Sequence, residues 1–247
     1  MEQLRSSLRD KPAVRWGALA LVSLTMFFAY MFVDVLSPVK ILVEKELGWD
    51  STVFGLYGGS EFFLNVFVGF LILAGIILDK MGVRFTALLS GSLMVIGAGL
   101  KVYALSATFR NGGIGYETIS GLTGGIKNVF GWELPPTAML ASLGFMIFGC
   151  GTEMAGVTVS RAIVKWFKGK EMALAMGIEM ALARFGVFMI FRISPWLSEK
   201  FESVQAPVIF CALLLCIGLL LYVVYWFVDR AFDNELGDEE VEEEEPF

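Results

Sequence analysis

The chain has 247 residues, 56% of them hydrophobic, with 22 Phe and 12 Met, and its mean hydropathy is +0.70. So few polar residues cannot clothe a water-soluble domain, and the composition is that of a membrane protein. The formal charge of −6 misleads: residues 229–247 carry ten acids and one base while the rest carries 18 bases against 15 acids, and the lack of any histidine excludes imidazole catalysis and histidine proton relays.

The N-terminus is basic, with Arg5, Arg9, Lys11 and Arg15. Its apolar run continues past signal-peptide length and shows no small-x-small cleavage site, so it predicts a first span. A helix needs about 20 mostly apolar residues to cross a bilayer. Six stretches qualify: about 16–37, 52–78, 85–106, 137–164, 172–196 and 206–228. The predicted class is therefore an all-α membrane protein of six transmembrane helices. Residues 1–15 read as a cytoplasmic tail, 16–228 as the bundle and 229–247 as an acidic, disordered linker. Short links join the second span to the third and the fourth to the fifth, which makes those pairs antiparallel neighbours.

Lys80 and Arg84 lie in one of these links, and Lys165, Lys168 and Lys170 in the other. If six spans alternate, both links share a side with the basic tail. The excess of Lys and Arg in short loops puts that side, and both termini, in the cytoplasm. The membrane expected is a cell (inner) membrane rather than an organelle's. Between the third and fourth spans, residues 107–136 hold seven glycines, from Gly112 to Gly131, and read as an external loop of turns or a short hairpin. Trp16, Trp166, Trp196 and Trp226 lie near span ends and read as interfacial anchors. Cys150, Cys211 and Cys216 fit no metal spacing and no disulfide framework.

The second-to-third link reads GIILDKMGVRF, from Gly75 to Phe85. Gly82 permits a tight reversal, Asp79 can neutralise a positive helix end, and Lys80 and Arg84 hold the link at the membrane surface. The pattern Gly75, Asp79, Lys80, Gly82, Arg84 resembles the signature of the major facilitator superfamily, between the second and third spans where that family carries it. Three further pieces narrow the resemblance to a dipeptide-carrying branch: WFKGKE (Trp166–Glu171), GCGTEMAG around Glu153, and ALARFG around Arg184. What the resemblance implies is one half of a major facilitator fold, the N-terminal half. It would work by alternating access, with the signature in conformational gating and cargo held near the midplane between two six-helix halves.

One acid, Glu153, sits midway along the fourth span and one base, Arg184, midway along the fifth. A lone charge at bilayer depth costs at least ~2.5–3.5 kcal/mol and marks a functional site by default, with the opposite charge as its expected partner. The alternative is a structural ion pair that sets helix register. In the branch that the chain resembles, the corresponding acid and arginine contact the dipeptide. An ammonium suits a carboxylate, and a carboxylate suits the planar guanidinium fork. Where many members carry an arginine early in the fourth span, this chain has Phe145, which argues against proton coupling of the kind linked to that arginine. Asp34 is a looser match to an acid of the branch's first helix.

Tyr30 and Asp34, and likewise Glu61 and Asn65, are four residues apart and share helix faces, so both pairs are candidates to line the outer cavity. Interhelical hydrogen bonding is the alternative for each. Glu179 lies five residues before Arg184, about 140° round the helix, and is expected to face another helix. Arg161 and Arg192 read as snorkelling near span ends. Gly144, Gly149, Gly151 and Gly156 either let helices approach or leave room for cargo. No cofactor, metal or nucleic-acid partner is called for, and no nucleophile–base motif suggests an enzyme. The partners expected are a small solute, membrane lipid and a second six-helix half. The rivals to a dipeptide carrier are a carrier of organic anions or sugar phosphates, lined by Arg161, Arg184 and Arg192, and a non-transporting partner subunit.

Overall fold

The computed structural model describes residues 10–243, and no strand occurs among them. Pro12 opens the first helix, α1 (Pro12–Val33), because proline at the first helical position loses no intrahelical bond. A turn and a 3-10 step at Ser37–Val39 lead into α2 (Lys40–Leu47). Next come α3 (Ser51–Phe67), capped by Asp50, and α4 (Phe70–Ala104). Two short helices follow, α5 (Ala107–Arg110) and α6 (Tyr116–Phe130). Three long ones complete the chain: α7 (Pro136–Phe167), α8 (Met172–Phe201) and α9 (Gln205–Glu243).

Five helical stretches are long and apolar enough to cross a membrane: Pro12–Leu47, Phe70–Ala104, Pro136–Phe167, Met172–Phe201 and Gln205–Asn234. The sixth crossing comes from the break in α4. Gly82 has φ 77° and ψ 170°, a left-handed conformation that an L side chain rarely adopts. Contacts with α7 show the reversal. Along α7, Thr137, Phe145 and Gly149 meet Trp49 just before α3 and Tyr57 and Glu61 within it, in rising order. Gly144 and Gly151 meet Gly97 and Ser90 of α4 in falling order. So α3 runs parallel to α7 and the limb after Gly82 runs antiparallel to it. The second crossing is itself split where Gly69, at φ 70°, separates α3 from α4.

The core is built around α7, whose glycine positions remove the side chains that would hold its neighbours away. An added Cβ at Gly144 would lie 2.7 Å from the Gly97 carbonyl oxygen, and one at Gly151 would lie 2.7 Å from that of Ser90. Gly156 meets nothing within 4 Å. Close approach therefore accounts for the first two and for Gly149, which abuts the Glu61 backbone, while Gly156 faces open space. α1 packs against α8 and α9, with the Ser194 hydroxyl donating to the Val35 carbonyl at 2.6 Å and that of Thr25 to Gly218 at 3.1 Å. Arg15, Arg84, Lys165 and Glu171 mark one end of the bundle, called the near face here. Trp49, Val102, Thr137 and Gln205 mark the far face.

Three expectations need correction. Residues 107–136 are not a turn-rich loop or hairpin but carry α6, bounded by Gly115 and Gly131 at φ 83° and 73°. Its glycines hid a helical period: Ile119 and Thr123 are buried four residues apart. The acidic stretch is helical from Asp229 to Glu243, and Asp229 is 1% exposed. Asp229 and Asp233 stand one turn apart on the face that meets Arg84 and Lys165, so these partners hold the first turns of the acidic stretch against the bundle. Residues 244–247, and 1–9 of the expected tail, lie outside the described residues. Trp166 is no interfacial anchor: it is buried, and its Nε1 donates to Asp229 Oδ1 at 3.1 Å.

Candidate functional site

Glu153 stands on α7 beyond the glycine seam and is half-buried. Among the described residues it has no ion pair and no hydrogen bond. Arg184, on α8, is exposed, and its guanidinium carbon lies 5.3 Å from the centre of the Tyr30 ring. That is a cation–π distance. Glu153 and Arg184 do not form the ion pair expected of them, because α1 brings the Tyr30 ring to the guanidinium instead. Tyr30 of α1 thus meets Arg184 of α8, and Glu179 is half-buried five residues before Arg184 on the same helix.

Glu61 is 5% exposed on α3. Asn65, one turn on, donates from Nδ2 to the Glu61 carbonyl at 3.3 Å, while its Oδ1 is buried without a partner. The two share a face as their spacing predicts, but their side chains are not hydrogen-bonded to each other. Asp34 ends α1 and accepts from the Ser37 hydroxyl at 3.0 Å. Asp34 lies one turn beyond Tyr30 along α1, toward the far face.

Lys101 is the residue that sequence reasoning missed. It is completely buried on α4. Close to the end of a span, a lysine reads as one that reaches the interface, and only packing shows that this one does not. The signal available was its place in GLKVYAL, an intramembrane cation that calls for a partner.

At the near face the signature residues take different positions. Gly75 is half-buried and Lys80 exposed on the first limb of α4. Gly82 makes the reversal. Asp79 and Arg84 line a cleft of about 260 Å³ with Arg161, Lys165, Asp229 and Asp233. Arg84 pairs with Asp233 at 3.1 Å, and Lys165 pairs with Asp229 at 2.8 Å and with Asp233 at 2.6 Å. Asp229 also accepts from the Tyr225 hydroxyl at 3.1 Å. Arg161 therefore sits beside acids at this cleft, not beside Arg184. Nearby, Arg15 of α1 reaches Glu171 in the α7–α8 link at 3.0 Å. A hydrogen bond from its own backbone N–H, with the Arg15 charge, holds the Glu171 carboxyl below the usual carboxylate range.

A model of the Major Facilitator Superfamily matches residues 22–247. Among curated proteins, the chain is 28% identical over 192 residues to the "Lysosomal dipeptide transporter MFSD1" of Bos taurus, covering 77% of this chain and 35% of that protein. The Homo sapiens protein of the same name is 27% identical over 192 residues, with the same coverage of 77% and 35%. The Pongo abelii protein is 29% identical over 182 residues, covering 72% of this chain and 32% of that one. The chain spans about a third of the length of the relatives it matches. Their names are lysosomal, which does not fit the expected cell (inner) membrane.

Proposed function

The chain belongs to the major facilitator superfamily, and on that premise we propose that it is the N-terminal six-helix wall of a transporter whose cargo is a dipeptide. Cargo meets Glu153 through its ammonium and Arg184 through its carboxylate, with Tyr30 between them. Glu61, Asn65 and Asp34 line the path toward the far face. The signature residues Gly75, Asp79, Lys80, Gly82 and Arg84 gate the near face, which lies on the cytosolic side with both termini. A second six-helix half supplies the opposite wall.

The observation that carries this reading is that Arg184 lies over the Tyr30 ring while neither it nor Glu153 forms an ion pair among the described residues. Opposite charges that neutralise each other leave nothing for a zwitterion, whereas opposite charges held apart offer each end of it a charge-assisted hydrogen bond. Arg161 lies with acids at the near-face cleft, so the cationic lining needed for an organic anion or sugar phosphate is not assembled around Arg184.

The test is uptake of a radiolabelled dipeptide by cells expressing the chain alone and the chain joined to a second six-helix half. Uptake is expected only from the joined form. Glu153→Gln and Arg184→Lys should each lower it about 10- to 100-fold, the worth of a hydrogen bond to a charged group at ~1.5–3 kcal/mol. Uptake by neither form sinks the dipeptide reading. Tolerance of Glu153→Lys in an active form would point to an anionic cargo.

A further inference from the structure

In the far half of the bundle lies a lysine whose head group neither solvent nor a carboxylate oxygen touches. Lys101 is 0% exposed, and its ammonium has no hydrogen-bond partner. A buried ammonium without an acceptor is strongly disfavoured unless something replaces its hydration. Here three ring faces do so. The distances from Nζ to the ring centres are 4.3 Å for Phe32 of α1, 4.6 Å for Phe145 of α7 and 5.1 Å for Tyr57 of α3. All are inside the range of about 6 Å over which a ring quadrupole attracts a cation.

The rings are held by one another and by the backbone. Tyr57 stacks on Phe145 with centres 4.9 Å apart, and Phe32 lies 4.6 Å from Phe148 behind it. An added Cβ at Gly144 would lie 3.0 Å from both the Leu100 Cβ and the Lys101 backbone nitrogen. That close approach seats α4 against α7 at the level of the rings. The Tyr57 hydroxyl is itself buried without a hydrogen bond, Glu61 stands one turn from Tyr57 on α3, and Asp34 follows Phe32 by two residues at the end of α1. Rings from three helices, with carboxylates nearby, form the kind of cage that recognises organic ammonium ions.

We propose that Phe32, Tyr57 and Phe145, backed by Glu61 and Asp34, form an ammonium-binding box that Lys101 fills in cis and that takes a primary alkylammonium once the Lys101 side chain is withdrawn. The box is distinct from the Glu153 and Arg184 site and does not depend on the identity of the cargo. With Lys101 seated, it ties α4 to α1, α3 and α7. With Lys101 withdrawn, it is a cation subsite in the far half of the bundle.

Lys101→Ala deletes a fragment the size of propylammonium. The test measures thermal unfolding of the whole chain in lipid nanodiscs against n-propylammonium chloride, with 1-propanol as the neutral isostere. Lys101→Ala should melt roughly 10 °C below the parent chain. Propylammonium should restore at least half of that loss saturably, and propanol should restore none of it. The parent chain should not respond. No gain from propylammonium, or an equal gain from propanol, overturns the proposal. If Lys101→Ala does not fold, a comparison within α7 decides. Phe145→Leu and Phe148→Leu remove buried rings of the same size, but only the first faces Lys101. The first should melt at least about 3 °C lower than the second, and equal melting temperatures overturn the box.

Discussion

Asp229 and Glu153 are both carboxylates on long apolar helices, yet their surroundings differ. Asp229 accepts from Lys165, Trp166 and Tyr225 and lies 3.9 Å from the Arg84 guanidinium. Glu153 accepts from nothing among the described residues, and Arg184 meets the Tyr30 ring rather than a carboxylate. The near-face cluster joins the end of α7 and the start of the second limb of α4 to α9, and every charge on Asp229 is spent within the fold. The mid-bundle charges are held apart. Charges saturated by their own chain maintain an arrangement, whereas charges left open can respond to a ligand.

If that distinction holds, the two places should fail differently. The largest effect is expected at Asp229. Asp229→Ala leaves Lys165 with Asp233 alone and takes the acceptor from the buried Trp166 N–H and Tyr225 hydroxyl, at a cost of about 1–3 kcal/mol for each donor left unsatisfied. The variant should show a sharp loss of folded protein on size-exclusion chromatography in detergent. A melting temperature equal to the parent's would end the distinction. The helix seam on the far side of Glu153 comes next. Gly144→Ala puts a Cβ 2.7 Å from the Gly97 carbonyl oxygen, a backbone atom that cannot swing aside, so overpacking should cost about 1–3 kcal/mol. Gly156→Ala meets nothing within 4 Å and should leave the melting temperature unchanged or slightly raised.

A smaller effect is expected at Glu171. Its folded carboxyl is held below the ordinary range, so its contribution is complete above the unfolded value and is lost as pH falls through the folded one. The melting temperatures of the parent and of Glu171→Gln should therefore differ at neutral pH and converge in acid. A gap that widens in acid would contradict the Arg15 contact. The smallest effect is expected from Glu153→Gln, which deletes no hydrogen bond made within the described residues. Its stability should lie within about 0.5 kcal/mol of the parent's, even where uptake falls. A large loss of stability would mean that Glu153 supports the fold as Asp229 does.

Hydrophobic runs, the Gly82 reversal and the family signature were legible in the residues alone, because a crossing helix needs an unbroken apolar length and a tight reversal needs a residue free of Cβ. Glu153 and Arg184 were legible too, since a charge at bilayer depth stands out against its neighbours. Their separation was not, nor were the burial of Asp229 and Trp166 or the three rings around Lys101. A sequence shows which residues are charged and how far apart they lie along one helix. Only the packing of α1, α4, α7 and α9 decides which charges find partners in the chain, because those helices bring together residues remote in sequence, as Lys165 is from Asp229 at a separation of 64.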